Sequence, residues 1–453
     1  MAASPTPTTG SSAAATRFRW VVIALLFAIV VINYIDRAAI SYAIDPISKE
    51  LSLTDSQKGL ILGAFGVGYM FTTFIGGVLT DRFGPRLILT VAVILWALTS
   101  ALTAVASSFF LLLGLRALLG LSEGPMFPGL TGAVANWLSP RERARALGLS
   151  LAAVPFALAI GGPVVSGILS FTDWRTMYWI LAAASLVWFP LWYLTFRNRP
   201  EESAHVNKAE LAHIRQKQVD QVADGRGTGD VVPARSDNAT RTTWKRLFTN
   251  RTLLANYWAF FVFGYFLFFF MTWLPGFLEQ KFSIAVGSVG WFSFVPWAVA
   301  GVVLLLLGNL SDRLLEKTHS LRISRSWLII ITQLIAAVVI LPVAFTSSLW
   351  IALALISVAL AASMGANAVY YAINVDIAPD RSATALGLMD FFFAIAGFAA
   401  PAVTGWVVGS SGSFARAFII LAALAASSVV LTFLFHRPDR DAIDHPYPDR
   451  GAA

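Results

Sequence analysis

Asp36 and Arg37 interrupt an apolar run that begins at Trp20 and resumes as far as Ile44, within VVINYIDRAAISYAI. A charge held in hydrocarbon costs about 3 to 10 kcal/mol, so such a pair marks a functional site unless the helix ends there in water. Arg37 lies 18 residues beyond Arg19, roughly 27 Å at the helical rise and close to the far edge of a core about 30 Å thick. On this ground the pore-lining and helix-end readings balance. Arg37 has the chemistry of an anion anchor, because guanidinium stays protonated and its planar fork matches a carboxylate bidentately. Tyr34, Arg37 and Ser41 share one helix face while Asp36 points about 100° away, so Asp36 need not touch what Arg37 holds.

Glu123 lies 14 residues into a helix that begins near Phe109, roughly 21 Å along it and near the bilayer centre. A carboxyl at that depth can carry a proton or be a permanently neutral, hydrogen-bonded core group. Arg116, seven residues earlier on the same face, is about 10.5 Å from Glu123, too far for a direct pair. Asp36 is one candidate for a group between them. Pro125 and Pro128 should kink the helix beside the carboxylate. Asp390 sits about nine residues past Arg381, roughly 13 Å deep. Tyr265, Asn367, Tyr370 and Asn374 are polar groups in apolar surroundings and must face protein or a water-filled cavity. For Tyr265 and Asn374, interhelical hydrogen bonding explains them equally well.

The elements that must position these groups are membrane helices. The 453 residues are 57% hydrophobic and 13% charged, with a mean hydropathy of +0.70; soluble domains carry roughly 25% charge. No Cys is present, which excludes disulfides, thiolate metal sites and cysteine catalysis. The five His fall in polar segments, so neither a histidine metal site nor an intramembrane histidine relay is expected. No nucleophile motif or phosphate-binding loop appears, so an enzyme is not expected, and no cofactor is implied. The net charge of +8 follows from membrane topology rather than from nucleic-acid binding.

Spanning segments fall near 18–44, 58–80, 86–106, 109–137, 145–170 and 174–196, then near 251–279, 286–309, 325–345, 349–374, 381–409 and 414–435. With the N-terminus cytoplasmic, 26 of the 33 Lys and Arg fall on cytoplasmic segments, which favours that orientation with both termini inside. Residues 1–17 read as a disordered tail without the apolar stretch of a cleavable signal. Residues 197–250 read as a cytoplasmic linker with a short surface helix, and 437–453 as a second tail. The Asn238 glycosylation triplet is coincidental on a cytoplasmic linker. The two halves, 18–196 and 251–436, echo one another. GGVLTDRFGPR (76–86) matches LGNLSDRLLEK (307–317), PRERARALGL matches PDRSATALGL, and Gly162-Pro163 matches Ala400-Pro401. In transporters such repeats place the substrate between the halves near the midplane.

At these residues the sequence resembles the major facilitator superfamily, through the pattern Gly77, Leu79, Asp81, Arg82, Gly84, Arg86 between the second and third helices. NYIDRAAIS, RALLGLSEGPMFPG and TWLPGFL resemble its anion:cation symporter branch, which includes sialin, the vesicular glutamate transporters and bacterial carriers for hexuronates, glucarate and galactonate. The resemblance implies an all-α integral membrane fold of twelve helices in two pseudo-symmetric six-helix bundles. It implies proton-coupled symport of a small organic anion by alternating access, by a monomeric carrier in the inner (plasma) membrane whose partners are the anion, protons and the lipid bilayer. Positions matching Tyr34, Arg37, Tyr69, Asn367 and Tyr370 line the branch's substrate cavity, and Tyr265 is a weaker candidate beside them. Those matching Asp36, Arg116 and Glu123 belong to proton coupling, and Asp81, Arg82, Arg86, Asp312 and Arg313, with Gly77, to gating. Gly161, Gly162, Pro163 and Gly167 serve packing and bending of the fifth helix.

Two departures bear on the substrate. Asp390 stands where the branch often has a substrate-contacting Asn, so it could bind a hydroxyl or a cationic group, or carry a second proton. Val154 stands where galactonate-type carriers have Gln. With Phe266, Phe268, Phe269 and Phe270, this allows a less polar or aromatic carboxylate. The alternative reading is an exporter of lipophilic or cationic compounds with the same fold, in which Asp390 and Glu123 bind the cation.

Overall fold

A computed structural model describes residues 15–223, 244–378 and 381–442, and regular structure among them is helical throughout. Eleven helices are long and apolar enough to cross a membrane, and a twelfth crosses if its two bent segments form one span. In the N-terminal half these are α1 (Phe18–Leu51), α2 (Asp55–Phe83), α3 (Pro85–Thr103), α4 (Phe109–Trp137), α5 (Pro140–Phe171) and α6 (Trp174–Thr195). In the C-terminal half they are α7 (Arg251–Phe282), α8 (Val286–Thr318), α9 (Arg322–Ala344), α10 (Leu349–Ile377), α11 (Ser382–Ser411) and α12 (Ala415–Phe435).

Local chemistry sets the boundaries. Thr54 and Gln57 form a reciprocal capping box at the start of α2, which satisfies two otherwise orphaned donors. Gly84, at φ +81°, turns the chain directly from α2 into Pro85 at the head of α3, a backbone conformation that glycine adopts without steric cost. Asp173 caps α6 by accepting from Thr176 N. The expected bend beside Glu123 is a full break: α4 stops at Glu123 and restarts at Met126, with Gly124 and Pro125 between. α10 is interrupted at Ala366, the pseudo-symmetric place in the other half. Both interruptions lie at membrane depth, where irregular backbone is tolerated only against protein or a cavity.

The halves meet along α2 against α11, α5 against α8 and α1 against α7. Two of these seams are glycine crossings. A Cβ on Gly405 would lie 2.6 Å from Gly59 Cα, and one on Gly290 would lie 2.1 Å from Gly162 O. Both crossings lie toward the face opposite the termini. At the other end of the same helices, a Cβ on Gly77, Gly148 or Gly387 would meet nothing within 4 Å. The bundle is therefore shut at the face opposite the termini and open at the face that carries them.

At the open face, polar staples hold the connecting segments. The linker helix Lys208–Ala223 docks through Glu210, which is buried and accepts from Phe18 N, Arg19 N and, at 2.9 Å, Arg19 Nη1. Arg19 also pairs with Glu142 at 3.2 Å. Burial opposes the charge on Glu142, but the Ser139 hydroxyl and the Arg19 guanidinium outweigh it and hold the carboxyl below its usual range. Past α12, Asp441 accepts from Thr252 at 2.7 Å, and Asp439 from Arg322 N at 3.0 Å. One expectation is corrected: His436 is not in polar surroundings but fully buried, with Nδ1 2.7 Å from Ser326 Oγ. The Asn238 triplet, with the rest of residues 224–243 of the central linker, lies outside the described residues.

Candidate substrate and coupling site

Arg37 and Glu123 form a buried ion pair between α1 and the end of the first α4 segment. Nη2 and Nε of Arg37 donate to the same oxygen, Glu123 Oε2, at 2.7 and 2.9 Å. Nη2 also donates to Asn33 Oδ1 at 3.1 Å, one turn back on α1. The guanidinium carbon lies 4.5 Å from the Tyr34 ring centre, 4.4 Å from that of Phe65 and 5.1 Å from that of Tyr69. Such rings stabilise a desolvated cation through their negative faces. Arg37 Nη1, Glu123 Oε1 and Asn33 Nδ2 are buried without a hydrogen-bond partner. Unsatisfied buried groups are costly, so these three atoms mark where a ligand or proton has something to gain.

Arg37, expected as the anion anchor, and Glu123, expected on the proton side, are thus paired with each other in this structure. Asp36 is instead turned away, as its 100° offset requires, and its Oδ2 accepts from Ser100 Oγ on α3 at 2.7 Å. Nor does Asp36 bridge Arg116 to Glu123 by hydrogen bonds. Arg116 Nη2 reaches the Arg37 carbonyl at 3.5 Å, while its Nε and Nη1 have no partner. Arg116 does share electrostatic surroundings with Asp36, Glu123 and Tyr178 of α6. Ser41 donates to the Ala38 carbonyl and takes no part in the cluster.

From the C-terminal half, Asp390 on α11 is half-buried, with no hydrogen bond or ion pair among the described residues. Its charge is felt at Tyr34, Tyr69 and Tyr371. Of the two adjacent tyrosines of α10, Tyr371 is the one that feels the charge of Asp390. Tyr370 is fully buried, accepts from Gln333 Nε2 at 2.9 Å and packs edge-on against Phe260. Asn367 is half-buried at the restart of α10, with Oδ1 unpartnered. Tyr265 is buried beside Thr404 of α11, and Asn374 Nδ2 is bound to the Tyr370 carbonyl at 2.8 Å. Phe266, Phe268, Phe269 and Phe270 are all buried in helix packing, as is Val154.

Among the described residues, the gating candidates make no hydrogen bond or ion pair between the halves. Asp81, Arg82 and Arg313 are exposed. Arg86 ties α3 to α6 by donating to the Tyr193 carbonyl at 2.7 Å, and Asp312 pairs with Arg325 at 3.1 Å within its own half. Asn33, Phe65, Ser100, Tyr178 and Tyr371 were missed from sequence. Only Asn33 left a signal there, four residues before Arg37 on the same helix face.

Comparison with known proteins agrees with this architecture. The family model described as Major Facilitator Superfamily matches residues 26–318 and 319–451. A hexuronate transporter of Bacillus subtilis is 31% identical over 92% of this chain and 94% of its own. A probable sulfoacetate transporter of Cupriavidus necator is 33% identical over 90% and 91%, and a probable galactarate/D-glucarate transporter of Bacillus subtilis 31% over 93% and 93%. Among solved structures, a bacterial homologue of the human lysosomal transporter Spinster, inward-facing and occupied, superposes with a TM-score of 0.74 at 18% identity, covering 97% of this chain and 100% of that one. The relatives are transporters rather than enzymes, and this chain belongs to the Major Facilitator Superfamily.

Proposed function

We propose that the protein is a proton-coupled symporter that takes up a small organic anion, such as a sugar acid or another carboxylate, by alternating access of its two halves. The observation that carries this is the dry Arg37–Glu123 pair with its orphaned donor and acceptor atoms. While Glu123 is ionised it occupies the fork that an arriving carboxylate needs. A proton on Glu123 weakens that hold and frees Arg37 to bind the anion, so proton and anion each favour the other's binding, a reciprocal coupling. Asp36, held by Ser100, and Arg116 complete the coupling group. Tyr34, Tyr69, Asn367, Tyr371 and Asp390 surround the anion. With the termini in the cytoplasm of an inner-membrane protein, the conformation described is inward-facing. Relatives named for hexuronate, galactarate/glucarate and sulfoacetate support an anionic substrate.

The test is uptake of radiolabelled hexuronate and galactonate into proteoliposomes under an inward proton gradient. Accumulation abolished by protonophore is expected; accumulation indifferent to both gradient and protonophore would sink proton coupling. A second reading, export of cationic compounds, is favoured by one feature, the unpaired Asp390. Thermal-shift screening of carboxylates against lipophilic cations separates the two, because only the true substrate class stabilises the protein.

A further inference from the structure

We propose that Asn33 determines substrate specificity: its free Nδ2 and the free Glu123 Oε1 form a subsite for the hydroxyl next to the anion's carboxylate, so the site prefers 2-hydroxycarboxylates. The orientation of the Asn33 amide is fixed by its neighbour. Arg37 is a donor only, so the amide turns Oδ1 to Arg37 Nη2, at 3.1 Å, and leaves Nδ2 pointing elsewhere. That nitrogen has no partner, although Asn33 is fully buried.

Glu123 holds the same guanidinium nitrogen. Its Oε2 accepts from Nη2 at 2.7 Å, and its Oε1 is likewise buried and unpartnered. Asn33 Nδ2 and Glu123 Oε1 are thus a donor and an acceptor, each sharing a carbon with an oxygen on Nη2, and yet they complete no hydrogen bond with each other. A bridging group is needed. An acceptor-only carboxylate serves the donor and a donor-only ammonium serves the acceptor. A hydroxyl, with two lone pairs and one proton, serves both, whether Oε1 is bare or carries the coupled proton.

Where that hydroxyl sits on the ligand follows from what Arg37 leaves open. The rings of Tyr34, Phe65 and Tyr69 pack against the guanidinium, its carbon 4.5, 4.4 and 5.1 Å from their centres, so a ligand meets its edge. Nη1 is the nitrogen without a partner, and Nη2 gains a free hydrogen once a proton weakens the hold of Glu123. A carboxylate on these two nitrogens makes the bidentate pair that guanidinium favours. Its oxygen on Nη2 then lies beside Asn33 and Glu123, where the substituent on the next carbon falls. The inference rests on the anion reading proposed above and adds to it the class of anion.

The test is calorimetric titration of the purified full-length protein in nanodiscs with two ligand pairs that differ by this hydroxyl: galactonate against 2-deoxygalactonate, and mandelate against phenylacetate. With two hydrogen bonds at stake, the hydroxylated member of a pair that binds should do so roughly 5- to 150-fold more tightly. In Asn33→Ala and Asn33→Leu, the first leaving a void and the second filling it, the ratio should collapse toward one. Poorer support of Arg37 weakens both members of a pair alike and leaves their ratio unchanged. Equal binding within each pair by the wild type, or a ratio that both variants keep, overturns the inference and leaves anion transport standing. Folded variants that bind neither member make Asn33 a support of Arg37 rather than a discriminator, and overturn it as well. Failure of the wild type to bind any of the four carboxylates overturns it together with the anion reading.

Discussion

Arg37 places two donors on one oxygen of Glu123 and a third contact on Asn33, a geometry that a point charge cannot reproduce. Arg37→Lys keeps the charge and loses the fork. Charge-assisted hydrogen bonds contribute about 1.5 to 3 kcal/mol each, so uptake should fall by roughly 10- to 150-fold with the melting temperature little changed. Wild-type uptake kinetics in that variant would remove Arg37 from the site. The residue types were legible in the sequence because charges in an apolar run have few explanations. Their partners were not. Tyr370 and Tyr371 differ by one position and about 100° of helix. Tyr370 turns to Gln333 in the core of its half, while Tyr371 is the one that feels the charge of Asp390.

At the level of elements, the crossings of α2 with α11 and α5 with α8 decide which face is shut. They are related by the internal repeat, and each depends on a glycine meeting another backbone. A methyl on Gly290 would meet Gly162 O at 2.1 Å and Ser166 Oγ at 2.2 Å. Overpacking of this kind costs about 1 to 3 kcal/mol, which shifts a two-state equilibrium by roughly 5- to 150-fold. Gly290→Ala should therefore open this face without unfolding either half. Ser166→Cys, buried at the crossing, would then react with a membrane-impermeant maleimide from that side at a rate raised by a factor within that range. An unchanged rate would show that the crossing is not part of closure. The sequence announced the break after Glu123 through Pro125 and Pro128. At Ala366 no proline marks the interruption, and the first segment ends at Gly365.

For the whole molecule, the open face is stapled by short polar segments that follow or connect the bundles. Burial pushes the imidazole of His436 down to about 3, with Asp441 pulling the other way. A His whose folded pKa lies below its unfolded value near 6.5 is kept neutral by folding, so its contribution is complete above about pH 6.5 and is lost as pH falls toward the folded value. Between pH 7.5 and 5, the melting temperature of the wild type should drop more than that of His436→Asn. Equal drops would mean that His436 does not set the acid sensitivity.

Composition, the spacing of apolar segments and the internal repeat determined by themselves that this is a membrane protein of two related halves. Hydrocarbon permits so few backbone solutions that a helical period of sufficient length has one meaning. The same logic singled out Arg37, Glu123 and Asp390, since charge at membrane depth is too costly to be incidental. Only the tertiary structure decided that Arg37 holds Glu123, that Asp36 turns to Ser100, and that Tyr370 turns to Gln333. These contacts join residues far apart in the chain, and they depend on helix rotations, which no local period encodes.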